Sequence, residues 1–122
     1  MKQITIVFKT TNLVLLALCG FSQVATAANI DGDYNAGQEK SAVCAGCHNP
    51  DGNSAVGINP IIAGQHADYL YMSLQSYKNG ERKNAIMNSI AAGLSDEDMR
   101  NLAVYFAAQD SKLNTVPADK LD

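Results

Sequence analysis

The spacing of apolar residues in the second half of the chain predicts amphipathic helices. Leu70, Leu74 and Tyr77 lie at positions i, i+4 and i+7, on one face of a helix over residues 65–78. Asn79-Gly80 follows this segment and is typical of a helix C-terminus. A second stripe predicts a final helix and consists of Met99, Leu102, Ala103 and Phe106. Each helix is therefore expected to bury one face.

The remaining segments predict two more helices separated by irregular loops. Residues 34–47 have helical character, with Gly37 as a weak point, and the turn-forming stretch 49–54 ends them. Residues 84–92 predict a short helix or turn. Ser95 is the candidate N-cap of the final helix, because three acidic residues follow it and complement the helix dipole. The expectation is an all-α fold of about four helices with long loops.

The N-terminus has the pattern of a secretory signal peptide. Lys2 and Lys9 are the only charges before Asp31, and the apolar run 12–21 is short for a bilayer span. Residues 25–27 form a small-x-small cleavage site. We therefore expect cleavage after residue 27 and export of the remaining chain across a membrane. An uncleaved membrane anchor is the alternative reading.

Cleavage there divides the chain into a signal peptide over 1–27, one domain over 28–109 and a polar C-terminal tail over 110–122. Cys19 lies in the signal peptide and is expected to leave with it. The loss of two lysines changes the formal net charge from −3 to −5, which argues against nucleic acid or an anionic membrane surface as a partner. The 95 residues that remain suffice for one domain but make a large core difficult.

The most informative motif is C-x-x-C-H at residues 44–48. Its two thiols, Cys44 and Cys47, can each add to a haem vinyl group, and the imidazole of His48 can then bind the iron. The alternatives are a chance pair, a thioredoxin-like redox motif or a zinc site. No strand pattern precedes Cys44, and zinc would need four ligands where His66 is the only further candidate. The motif predicts one covalently bound haem c.

Four stretches of the chain resemble the class I c-type cytochromes of bacteria, the small periplasmic kind whose haem domains also occur in tandem as di-haem cytochromes. The stretches are residues 43–48, 51–54, 61–66 with Tyr69-Leu70, and 86–98. Asn49-Pro50 departs from the pattern, because relatives often carry a glycine after the motif. The resemblance implies a class I cytochrome c fold of about four helices wrapped around one haem.

The same resemblance implies that Met87 is the second axial ligand of the iron. Met87 lies between the long predicted helices, where a chain can approach a haem face. Met72, Met99 and His66 are the other candidates. Met72 and Met99 fit a packing role, and His66 fits a solvated surface position.

Supporting roles follow from the resemblance as well. The carbonyl of Pro60 is expected to accept a hydrogen bond from the axial histidine, which would set its tautomer. Arg82 and Lys83 are candidates to pair with a haem propionate, with an ordinary solvated charge cluster as the alternative. Tyr69 is expected either to reach the haem or only to pack against other side chains, and the sequence does not separate these two roles.

Two further expectations concern packing and docking. Gly37 is expected to let the last helix cross the first closely, with Tyr105 or Phe106 filling the gap. The second expectation concerns a group of four apolar residues, Ala45, Val56, Ile58 and Ile61. One reading is that they form an apolar rim around an exposed haem edge, where a redox partner would dock. The other reading is that they pack beneath the haem.

The resemblance and the ligand chemistry favour a one-electron carrier that is not itself an enzyme, working between membrane or periplasmic oxidoreductases. A peroxidase-like enzyme is one alternative, but it would need an open iron face and distal acid–base groups. A redox or gas sensor is the other, and it would need a replaceable ligand and an output domain. Met87 as a ligand would close the iron face, and 95 residues leave no room for an output domain.

Overall fold

The computed structural model describes residues 30–113, which form five helices and contain no strand. The helices are α1 (Tyr34–Lys40), α2 (Ala42–His48), α3 (Ala67–Lys78), α4 (Ala85–Ala92) and α5 (Asp96–Ala107). The all-α prediction is confirmed. The predicted signal peptide with Cys19, and residues 114–122 of the predicted tail, lie outside the described residues. No helix within residues 30–113 is long and apolar enough to cross a membrane.

The single helix predicted over 34–47 is wrong, because the chain breaks it at Ser41 into α1 and α2. The hydroxyl of Ser41 donates to the carbonyl of Gln38 over 2.7 Å, and the Ser41 N–H donates to the same oxygen over 3.2 Å. The next turn is tight too, since the Cys44 N–H reaches the Ser41 carbonyl over 2.8 Å. A serine hydroxyl that donates to a carbonyl of the preceding turn in this way competes with the helical hydrogen bonds and favours a break.

Helix α1 crosses α5 at very short range, as predicted for Gly37. A Cβ atom on Gly37 would clash with the carbonyl oxygen of Asn101 and lie 2.8 Å from the Cβ of Tyr105. The amide of Asp33 donates to the side chain of Asn101 over 2.7 Å beside this crossing. The ring of Tyr105 fills the gap and packs on Tyr34 with centroids 5.3 Å apart. Only glycine permits this approach of two backbones.

The buried core centres on α5, whose predicted apolar stripe is confirmed. The core cluster consists of Leu94, Met99, Leu102, Tyr105 and Phe106. Ser95 and Asp98 form a capping box at the start of the helix, which satisfies two otherwise unpaired backbone N–H groups. No residue of α3 is fully buried, although Leu70 and Leu74 pack partly against the core. One face of the helical framework is therefore incompletely covered by protein.

The first residues of the predicted tail are attached to the domain by a buried asparagine. Asn53 is 4% exposed, and its side chain donates to the carbonyl of Asp110 over 2.8 Å. The same side chain accepts from the N–H of Lys112 over 2.7 Å. The pair of bonds ties residues 110–112 to the loop that follows α2.

Candidate haem site

A cleft of about 280 Å³ opens on the incompletely covered face of the framework. Residues from α2, α3, α4, α5 and the loop between α2 and α3 contribute to its lining. The apolar part of the lining includes Ile62, Leu70, Leu74, Ile90, Leu102 and Phe106. An apolar cleft with a few convergent polar groups is typical of a cofactor site.

The C-x-x-C-H motif lies at the C-terminal end of α2, and Cys44, Cys47 and His48 all line the cleft. Cys44 is partly buried and Cys47 is exposed, and both are unpaired thiols. Burial raises the pKa of the Cys44 thiol to about 11, and the neighbouring Cys47 adds to this rise. Cys44 is therefore a protonated S–H group at neutral pH.

His48 is buried and held in one orientation by the loop that follows. Its Nδ1 lies 2.8 Å from the carbonyl oxygen of Pro60, as predicted. Because a carbonyl can only accept, Nδ1 carries the hydrogen, and in the neutral imidazole Nε2 then has the lone pair. A hydrogen bond of this kind orients a histidine for a metal and raises its basicity. The side chain of Asn59 also donates to the carbonyl of Cys47, over 3.0 Å, and joins the same loop to the motif.

Met87 lies in the first turn of α4, is partly buried and lines the cleft. Asn84 caps this helix: its side-chain oxygen accepts from the N–H groups of Ile86 over 3.1 Å and Met87 over 3.0 Å. The cap therefore holds the backbone of Met87 directly. The structure brings Met87 to the same cleft as the three residues of the motif.

The other candidate ligands lie elsewhere. Met99 is 3% exposed and belongs to the core cluster, as predicted. Met72 is 62% exposed, so the packing role expected for it is wrong; it faces outward from a helix that buries no residue fully. His66 is exposed at the N-terminus of α3 and does not line the cleft. Among residues 30–113, Met87 is therefore the one methionine that lines the cleft.

A positively charged group lies at the lining of the mostly apolar cleft. Nη1 of Arg82 lies 3.2 Å from the hydroxyl of Ser73 and 3.5 Å from that of Tyr69. The hydrogen bond from Arg82 lowers the pKa of the Tyr69 hydroxyl. All three residues line the cleft, whereas Lys83 is exposed and does not. A guanidinium beside two hydroxyls can pair with a carboxylate.

The predicted apolar rim is only partly at the cleft. Ile58 and Ile61 line it, and Ile58 is 89% exposed. Ala45 and Val56 do not line it, although Val56 is exposed. Ile58 is therefore the one residue of this group that both lines the cleft and is exposed.

The site geometry agrees with a comparison against known families, in which the model of the family described as "Cytochrome c" matches residues 34–109. The chain belongs to the cytochrome c family. A cytochrome c domain carries covalently attached haem and transfers electrons, and one such domain is matched here. The two thiols, the imidazole nitrogen, the thioether and the apolar walls of the cleft fit that group.

Individual relatives support the class I cytochrome c fold that the sequence predicts. Cytochrome c-554(548) of Halomonas halodenitrificans is 42% identical over 82 residues, which cover 65% of this chain and 99% of that protein. Cytochrome c4 of Pseudomonas aeruginosa is 42% identical over 95 residues, or 78% of this chain and 46% of that protein. The crystal structure of reduced cytochrome c4 from Pseudomonas stutzeri superposes with a TM-score of 0.64 at 40% identity, covering 67% of this chain and 48% of that one. The chain therefore spans about half the length of the cytochromes c4.

Sequence reasoning missed two residues that support this cytochrome c site, Asn59 and Asn88. Asn59 bonds the motif as described above, and Asn88 bonds the segment that leads into Met87. Their partners are mostly backbone carbonyls in other segments, such as those of Cys47, Tyr77 and Arg82. No local pattern signals such contacts, because they depend on how the chain returns on itself.

Proposed function

We propose that this protein is a one-electron carrier that holds a single haem through Cys44 and Cys47, with His48 and Met87 as axial ligands. The observation that carries the proposal is the convergence of these four side chains on one apolar cleft. When bound, the haem iron supplies reversible one-electron chemistry between its ferric and ferrous states. The protein's own contribution is to hold, orient and shield that group.

Each of the four side chains has a separate task. The S–H groups of Cys44 and Cys47 can each add across a vinyl C=C bond, with the sulfur going to one carbon and the hydrogen to the other. His48 offers Nε2, because its Nδ1–H is committed to the Pro60 carbonyl. Met87 offers a neutral sulfur, which as a ligand would raise the reduction potential of the haem and keep other ligands from its iron. Attachment and ligation together support electron transfer rather than substrate chemistry.

We also propose that Arg82, with Tyr69 and Ser73, binds the haem propionates. The three groups converge at the lining of the cleft, and carboxylates are the anions that guanidinium groups pair with most specifically. Lys83 takes no part in this cluster. The pairing would fix the orientation of the haem in its cleft.

The carrier assignment extends to location and partners. The predicted signal peptide and the bacterial relatives support a periplasmic protein that is not inserted in a membrane. Its partners are redox proteins, and membrane or periplasmic oxidoreductases are the class we propose.

A peroxidase-like enzyme would need acid–base groups beside an open iron face. His48 is the one histidine lining the cleft in the described part of the chain, and its Nδ1 already bonds Pro60.

A redox titration combined with carbon monoxide tests this function. The purified holoprotein is expected to titrate as a one-electron couple with one haem per chain. The reduced spectrum is expected to stay unchanged under carbon monoxide, because Met87 as a ligand would block the access of carbon monoxide to the iron. Ready binding of carbon monoxide, or turnover of hydrogen peroxide at a rate typical of an enzyme, would contradict the carrier assignment.

Ile58→Lys is expected to slow electron transfer to a physiological partner by about tenfold, with little change in reduction potential. Ile58 is 89% exposed and lines the cleft. A charge at this position would have to lose its water when a partner docks, which weakens the complex. The reduction potential should change little, because the lysine would not contact the iron. Stopped-flow transfer rates and a redox titration measure the two quantities.

Leu113→Lys is the matched control, because Leu113 is also exposed but does not line the cleft. The wild-type rate is also expected to fall as salt rises, since the acidic protein favours a partner with a basic docking patch. Equal rates for all three proteins at every salt concentration would rule out docking at Ile58.

A further inference from the structure

The side chain of Asn88 joins three points of the chain that precede Met87. Its Nδ2 donates to the carbonyl of Tyr77, at the end of α3, and to the carbonyl of Arg82 over 2.9 Å. Its Oδ1 accepts from the N–H of Asn84 over 2.8 Å. One amide therefore holds both ends of the loop between α3 and α4. We call this set of three hydrogen bonds the Asn88 clamp.

The clamp acts on the segment that carries two of the cleft's functional groups. Asn84, which the clamp holds, caps α4 through the backbone N–H of Met87. Arg82, whose carbonyl the clamp binds, places its guanidinium beside Ser73 at the cleft. The helix itself is short, with only eight residues, so its first turn depends strongly on such contacts. Loss of the clamp would loosen Met87 and Arg82 together.

We propose that Asn88 is a positioning residue that determines how firmly Met87 is held as a ligand of the iron. This inference rests on the proposed function, because it takes Met87 as the ligand. Asn88 touches neither the motif nor the apolar wall of the cleft. It acts through the backbone: the clamp orders the loop, the loop holds Asn84, and Asn84 holds the N–H of Met87. A ligand held in this way detaches rarely and gives competing ligands little access.

The test compares Asn88→Leu, which keeps the size of the side chain and removes all three bonds, with Asn101→Leu. Asn101 is a buried asparagine whose side chain accepts one backbone N–H at the crossing of α1 and α5. Both variants are expected to lose stability, but only the first removes hydrogen bonds to the segment that leads to Met87. Asn88→Ala serves as a second variant, because alanine's high helix propensity favours a folded α4.

Two measurements on the holoprotein separate positioning from general stability. Imidazole, added to the ferric protein as a competing ligand, is expected to bind about tenfold more tightly to Asn88→Leu and Asn88→Ala, a change that corresponds to the net free energy of about one hydrogen bond. Asn101→Leu is expected to bind it as wild type does. Hydrogen exchange is expected to speed up at the amides of residues 84 and 87 in the Asn88 variants alone.

The outcomes distinguish this inference from the function on which it rests. If the wild type already binds imidazole as tightly as Met87→Ala does, Met87 is not a ligand, and both proposals fail. If the wild type resists imidazole and the Asn88 variants resist it equally, the clamp does not control Met87 and only this inference fails. Equal gains in imidazole affinity for Asn88→Leu and Asn101→Leu would also overturn it, because the effect would then be one of general stability.

Discussion

Met87→Ala is expected to abolish the weak absorption band near the red end of the ferric spectrum and to let carbon monoxide bind the reduced iron. The band is typical of methionine sulfur on ferric haem, and Met87 is the methionine that the fold presents to the cleft. Removing a neutral sulfur ligand is also expected to lower the reduction potential. Absorption spectra of both oxidation states, with and without carbon monoxide, measure these changes.

Met99→Ala is the matched control for that experiment. Met99 is packed in the core cluster and is 3% exposed, so its truncation is expected to cost about 2–5 kcal/mol of stability through a cavity. The red-end band should remain. Met72→Ala, at an exposed position, should change neither stability nor spectrum appreciably. A band lost in Met99→Ala and retained in Met87→Ala would move the ligand to Met99.

Replacement of both motif cysteines by alanine is expected to abolish covalent attachment of the haem. In the wild type, the haem should remain with the polypeptide after acid–acetone extraction. Cys44→Ala and Cys47→Ala are each expected to retain one thioether bond and to give a less stable product. The mass of the extracted polypeptide measures how much haem stays attached.

The double variant is expected to lose much of its helical structure too. The buried apolar core of residues 30–113 is small, and the apolar wall of the cleft relies on the haem for cover. Circular dichroism of the double variant measures this loss, with the two single variants as controls. Release of free haem from denatured wild-type protein would contradict covalent attachment.

The helices that the sequence predicts well are those with local signals. The stripe on α5 and its capping box involve residues within a few positions of each other, so periodicity and capping rules suffice. The end of α3 at Asn79-Gly80 is local in the same sense. The break at Ser41 has no such signal, because a serine hydroxyl can bond to water or to a carbonyl of the preceding turn, as it does to Gln38, and the sequence does not choose between them.

The residues of the candidate site also differ in whether a local sequence signal identifies them. The C-x-x-C-H motif is informative by itself, because residues three or four positions apart on one helical turn are close in space in any fold that contains the helix. The assignment of Met87 needed the family resemblance. The sequence alone left three mature methionines to compare, and their burial and access to the cleft differ only in the folded chain.

The sequence by itself determined the chemistry of attachment, the all-α class and the buried stripe of the last helix, because these depend on residue type and short-range spacing. Only the tertiary structure decided that Met72 faces outward, that Arg82 meets Tyr69 and Ser73, and that Asn88 holds the loop before Met87. The physical reason is distance along the chain. These contacts join separate segments, and their geometry follows from how the helices pack around the cleft rather than from any local propensity.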